Sequence, residues 1–231
     1  MVCISATNNS CTAYIRSSEG GRIESSGSLK ILGFHFDTNP SPKLHVEKLV
    51  KKFNSRLWTL RYLRTAGMST ADLKTAYITF LRPLAEYAVP AFHSMLSGEQ
   101  TALIENLQRK ALKIIYGFNH SYDTLLERSS LDSLKTRRVN LTDKFAINLQ
   151  KNPKYTHLFP ERPEDQLRVR NPKPYIEEHA RTARLYNSPL FYMRRRLNEL
   201  AQEEALQRRQ VQSASTRNNE PRCDFIFDEW R

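Results

Sequence analysis

A mainly α fold, with a small antiparallel β-sheet at its start and a helical bundle after it, is what this sequence predicts, and three observations carry the prediction. Apolar residues recur with the 3.6-residue helical period from Asn39 onward. Capping-box spacings open two of the periodic segments, at Ser69-Thr70-Ala71-Asp72 and at Ser97-Gly98-Glu99-Gln100. Only 7 glycines accompany a 26% share of charged residues, a composition of long solvated helices rather than of a tight barrel. The 231 residues suffice for one or two domains, and a globule of this size buries roughly 70% of its unfolded surface without a disulfide or metal staple.

Taken in order, the elements are as follows. Val2 to Ile4 and Ala13 to Ile15 are short β-prone runs, Ser17 to Gly21 is turn-rich, and Ser28 to Asp37 sets Leu29, Ile31, Phe34 and Phe36 around a glycine. Residues 1–38 therefore read as a small sheet that needs something larger to pack on. Ser41 and Pro42 form an N-cap and N1 pair, and Leu44, Leu49, Val50, Phe53, Leu57, Leu60 and Leu63 follow on one stripe until Gly67. The next helix places Leu73, Tyr77, Phe80, Leu81, Leu84 and Tyr87 on one face, with a kink expected near Thr79 because Pro83 lacks an N–H. A third carries Leu103, Ile104, Leu107, Ala111, Ile114 and Ile115 and stops at Gly117, which makes 39–118 a three-helix bundle. Residues 119–206 read as a helical extension. In it Asp123 caps a short helix, Ser130 or Asp132 begins one carrying Leu134, Leu141, Phe145 and Leu149, and Ser188-Pro189 starts a last one with Leu190, Met193, Leu197 and Leu200. Between them, 151–187 holds five of the 11 prolines and reads as an extended connector. The polar stretch 207–231 reads as a disordered tail.

Charge narrows the partner. The chain carries 36 Lys plus Arg against 24 Asp plus Glu, a formal +12, with excess base in both halves. Such a balance favours a polyanion, because each phosphate neutralised by Lys or Arg releases condensed counterions, although a merely soluble basic protein has the same composition. No apolar run approaches the roughly 18 to 20 residues a membrane-spanning helix needs, and the first residues lack the basic and apolar regions of a secretory signal. The expected compartment is cytoplasm or nucleus, with Cys3, Cys11 and Cys223 as free thiols.

Catalytic and cofactor motifs are missing from the sequence. The six histidines are scattered, the three cysteines form no C-x-x-C, and there is no H-E-x-x-H, G-x-G-x-x-G, P-loop or G-x-S-x-G. Neither a metal, a cofactor nor a catalytic residue is expected. The informative pattern lies on the first helix. There Lys48, Lys51, Lys52, Ser55, Thr59 and Tyr62 share the side opposite the apolar stripe, and Trp58 sits at its border. Lysines and hydroxyls at this spacing suit phosphates along a groove, and Trp58 or Tyr62 suits a sugar or base. The same pattern also describes an ordinary solvated face with Trp58 packed on a neighbour. Arg194, Arg195 and Arg196, and Arg137 and Arg138, are two further basic runs whose members cannot all face one ligand on a helix.

Read together, LKILGFHFD at Leu29 to Asp37, His45, RLWTLRYLR at Arg56 to Arg64, AYITFLRPLAEYAVPAFH at Ala76 to His93 and LIENLQRKALKIIYG at Leu103 to Gly117 resemble the C-terminal part of non-LTR (LINE-type) retrotransposon reverse transcriptases. LDSLKTRRVNLTDKFA at Leu131 to Ala146 and ARTARLYNSPLFYMRRRLNEL at Ala180 to Leu200 are similar to the region that follows in those proteins, so the resemblance spans roughly residues 1 to 200. It implies that Leu32, Gly33 and Phe34 belong to the last strands of a polymerase palm. It also implies that the helices after them form a thumb, with Lys48, Lys51, Lys52 and Arg56 facing duplex. The partners so implied are RNA, RNA:DNA hybrid or DNA, held through the backbone, and the remainder of a reverse transcriptase.

The same family holds its two metals with aspartates, including an adjacent pair, and this sequence contains no Asp-Asp. Its start aligns downstream of that pair, so the expectation is a thumb-like fragment without polymerase activity of its own. A different reading of the same helices is a protein-interaction or self-association module with no nucleic-acid role. A third is a chain that complements a separate polypeptide bearing the aspartates.

Overall fold

The computed structural model describes residues 15–16, 22–23, 27–37, 41–163 and 173–218. Val2 to Ile4, the turn at 17–21, all three cysteines, 164–172 of the connector and 219–231 lie outside the described residues. The protein is mainly α-helical, with short antiparallel strands leading into helices. Strand β1 (Ile15–Arg16) pairs with β2 (Arg22–Ile23), and β3 (Ser28–Ile31) pairs with β4 (Phe34–Asp37), each in antiparallel register. Leu32 and Gly33, expected in strands, instead form the two-residue turn of the β3–β4 hairpin. Both take positive φ, +48° and +86°, the geometry that matches the right-handed twist of the flanking strands. Phe34 begins β4 and is the hairpin residue buried in the core.

Helix α1 (Lys43–Thr65) buries Val46, Leu49, Phe53, Leu57 and Leu60, a run of i, i+3, i+4 steps. Its N-cap is Pro42 rather than Ser41. It ends as Gly67 predicts, with Gly67 N–H to Arg64 O at 3.1 Å and Met68 N–H to Leu63 O at 3.2 Å, a Schellman closure that glycine adopts at φ +83°. The second predicted helix is divided into α2 (Thr70–Ala76), a π-helical turn (Tyr77–Leu81) and α3 (Arg82–Glu86). Pro83 cannot donate to Thr79, and the backbone widens so that Arg82 N–H reaches Tyr77 O, five residues back. The extra residue rotates the face. Tyr77, Leu81 and Ala85 are buried, whereas Phe80 and Tyr87 are exposed.

A short α4 (Val89–Phe92) and a 3-10 turn (His93–Met95) lead to α5 (Gly98–Tyr116), which opens with a complete capping box between Ser97 and Gln100. Ile104, Leu107, Ala111 and Ile114 of α5 pack in one core with α1, and Leu103 is turned outward. Each fully buried Leu, Ile or Phe here contributes about 1.5–3 kcal/mol. Ser121 rather than Asp123 caps α6 (Tyr122–Ser129), and Ser133 rather than Ser130 or Asp132 caps α7 (Leu134–Gln150). The buried face of α7 is Leu134, Arg138, Thr142 and Ala146, while Phe145 is exposed. An apolar count misses that face because two of its members are polar, Arg138 among them with Glu105 3.8 Å away and no hydrogen bond to its guanidinium.

The first core runs through Leu125 and Leu134, past residue 118, so packing does not divide the chain there. A second, smaller core joins Ala146 of α7, Phe159, Tyr175, and Met193 and Leu197 of the last helix. The connector is not wholly extended. It holds a 3-10 turn (Pro153–Leu158), α8 (Ala183–Tyr186) and a bridge between Glu161 and Tyr175. The side chain of Asn198 accepts from Tyr175 N–H at 2.9 Å and donates to Tyr175 O at 3.1 Å, replacing a missing strand partner. Helix α9 (Pro189–Asn218) begins at the predicted Pro189 and continues to Asn218, which corrects the expected tail over 207–218. Gln and Arg supply six of the twelve residues there, and both are good helix formers that need no apolar stripe to continue a helix.

Candidate nucleic-acid interface

The candidate site is built on α1, where seven Lys or Arg accompany a single acid, Glu47. Burying Val46, Leu49, Phe53, Leu57 and Leu60 against the core obliges the opposite side to face solvent, and Lys48, Lys51, Lys52, Arg56, Trp58 and Tyr62 are all exposed. The helix is about 34 Å long, and Lys48, Lys52 and Arg56 climb it one turn at a time. Trp58, 64% exposed, does not pack on the core; it stacks on Tyr62, 59% exposed, with ring centroids 5.5 Å apart and planes 18° from parallel. Two open aromatic faces among cations form a platform on which a base or sugar can lie.

One end of the basic face meets the β3–β4 hairpin. Lys48 Nζ donates to His35 Nδ1 at 3.0 Å, and Lys30 pairs with His35 across the strands. Partial burial and the charges of Lys48 and Lys30 hold His35 below its usual pKa, so the ring is an acceptor for Lys48. Tyr87 closes the same corner by donating its hydroxyl to the carbonyl of Leu32. Between hairpin, α1 and α3 lies a cleft of about 540 Å³. His45, 5% exposed, lines it, stacks on Phe34 with centroids 4.3 Å apart, and has a partner for neither ring nitrogen. Burial, with His35 nearby, lowers its pKa to about 4 and keeps it neutral.

The other basic runs are taken up by structure. Arg194 donates to Leu158 O and to Glu178, Arg195 lies 3.7 Å over the Tyr186 ring, and Arg196 pairs with Asp143 and Glu199. Arg137 pairs with Glu86, and Arg138 is fully buried. Among the described residues no three His, Cys, Asp or Glu converge on a position that could hold a metal, and no helix is long and apolar enough to cross a membrane.

Periodicity found the lysines and aromatics of α1 but not Lys30, His35 and Tyr87, which line the cleft beside that face from other elements. The alternating Lys30 and His35 on either side of a two-residue turn were the available signal. Compared with family models, curated proteins and solved structures, the chain gives no match.

Proposed function

We propose that this chain grips RNA, RNA:DNA hybrid or DNA through the backbone, without sequence preference, as a thumb-like region of the kind found in non-LTR reverse transcriptases. The observation that carries the reading is the exposed Trp58–Tyr62 stack set among Lys48, Lys51, Lys52 and Arg56 on one solvent face. Phosphates bind the cations, and the rings add contact that does not depend on base identity. Phosphoryl transfer is no part of this role, because the sequence offers no adjacent aspartates to clamp two metals.

The test is fluorescence anisotropy of a labelled RNA:DNA hybrid across about 50 to 200 mM salt, where several phosphate contacts lose affinity by orders of magnitude. Replacing Lys48, Lys51 and Lys52 with Gln should flatten the log–log salt slope by about two to three units, near 0.7 to 0.9 per contact. An unchanged slope would reduce these lysines to a solvated surface. The exposure of Phe80 at 69% and Phe118 at 67% favours a second reading, self-association through apolar contact. That reading predicts a concentration-dependent mass in sedimentation and a hybrid affinity insensitive to salt.

A further inference from the structure

The cleft between hairpin, α1 and α3 has a division of labour among its walls. The hairpin contributes Lys30, and α1 contributes Lys48 and Lys52, so two walls carry three ammonium groups. The third wall, Pro83, Leu84 and the Tyr87 ring, is apolar. Among the described residues no acidic side chain lines the cavity. Lys48 spends one of its three protons on His35 and keeps two for a ligand. His45 also lines the cleft, and its imidazole is 5% exposed with no partner for either ring nitrogen. Leaving such a group unpaired is unfavourable, and a ligand that accepts and donates there relieves it.

From this arrangement we infer that the cleft binds a terminal phosphomonoester carried on a planar ring, a nucleotide-sized dianion held by Lys30, Lys48, Lys52 and His45 with its ring against Pro83, Leu84 and Tyr87. The volume of about 540 Å³ matches small-ligand sites, which span about 300–1,000 Å³. A single charge would leave two of the three lysines opposed only by one another. A phosphate without an apolar body would leave the third wall wet. The neutral imidazole gives one N–H to a phosphate oxygen and offers its other nitrogen to a hydroxyl or amine of the ligand.

Two sources carry this chemistry, a free mononucleotide and the phosphorylated end of a nucleic-acid strand. The cleft is separable from the proposed duplex grip, because Lys30 and His45 line the cleft alone, whereas Lys51, Trp58 and Tyr62 lie on the outer face alone.

Calorimetric titration of the full chain with 5′-AMP, with adenosine, and with a short oligonucleotide bearing either a 5′-phosphate or a 5′-hydroxyl tests the inference. AMP should saturate, and adenosine should bind at least about tenfold more weakly for loss of charge-assisted contacts. Lys30→Gln should weaken AMP about tenfold and leave internal duplex binding within about twofold, and Lys51→Gln should do the reverse. Should His45→Gln fail to fold, Lys30, exposed on a strand, keeps the test decisive. A strand preferring 5′-phosphate over 5′-hydroxyl in a Lys30-dependent way, and outcompeting AMP, identifies the strand end as the source; AMP binding tighter than either strand identifies the free nucleotide. Binding of AMP and of the phosphorylated strand that is absent, or indifferent to Lys30, overturns the inference, whatever the duplex result.

Discussion

Arg196 of α9 and Asp143 of α7, 53 residues apart in sequence, meet in a two-point ion pair, Nε to Oδ1 at 3.1 Å and Nη2 to Oδ2 at 2.7 Å. Both side chains are largely buried, and the pair fastens the last helix beside the small second core of Ala146, Met193 and Leu197. Asp143→Asn should cost about 1–3 kcal/mol in a urea titration, because the guanidinium keeps only Glu199, an exposed partner. A double-mutant cycle with Arg196→Met should return a coupling of at least about 1 kcal/mol, and additive losses would mean the two residues act separately.

The β3–β4 turn offers a test of backbone conformation. Gly33 has φ +86°, and a Cβ there would sit 3.5 Å from the Tyr87 ring, so conformation rather than space demands glycine. Gly33→Ala should therefore destabilise by about 1–2 kcal/mol. Leu32 takes φ +48° at 87% exposure, packs on nothing, and offers Tyr87 only its backbone carbonyl. Leu32→Asn should raise the melting temperature, since Asn-Gly suits a turn with two positive φ values. A fall would show that the leucine side chain has a packing role.

Acid should loosen the fold through two histidines. Burial, reinforced by His35 for His45 and by Arg138 for His93, lowers both pKa values to about 4. The unfolded chain takes up these protons near pH 6.5, the folded chain only near 4, so the unfolded state binds more protons between those values and stability rises with pH across that window. Above pH 7 both rings are neutral in either state and contribute no slope. Going from pH 7 to 4.5 should remove up to a few kcal/mol, at about 1.4 kcal/mol per unit of depression. Urea midpoints at both values measure the loss. His93→Gln should lessen it, and an equal loss in the variant would exclude the histidine as its source.

Trp58 should matter for binding and not for folding. Its ring stacks on Tyr62 and is 64% exposed, so Trp58→Ala should leave the urea midpoint equivalent to within about 0.5 kcal/mol of the parent. Hybrid affinity should fall by about 1–3 kcal/mol, the worth of one stacked base, with the salt slope unchanged because no cation is lost. A loss of stability without loss of affinity would make the Trp58–Tyr62 pair structural.

What the sequence by itself determined is local. Gly67, the Ser97–Gln100 box, Gly117 and Pro189 set helix ends through backbone chemistry that acts within one turn, and the apolar spacing of α1 dictated that its lysines, Trp58 and Tyr62 face outward together. Pro83 announced a break in its helix, but whether the chain would kink or widen depended on seating Tyr77 and Leu81 in the core, and the widening is what turned Phe80 out. Tertiary structure alone decided which charges are buried. Arg138, Asp143 and Arg194 count as surface residues in any periodic reading; Asp143 and Arg194 are buried where Arg196 and the Leu158 carbonyl arrive from elsewhere, and Arg138 is buried 3.8 Å from Glu105 with no hydrogen bond to its guanidinium. It also decided the cleft. Lys30, His45 and Tyr87 belong to three elements with no shared period, and they converge because the hairpin packs on α1 through Phe34 while Tyr87 hydrogen-bonds across 55 residues to Leu32. Short-range patterns record the cost of exposing apolar surface, and a polar group's burial is decided by partners that only the folded chain supplies.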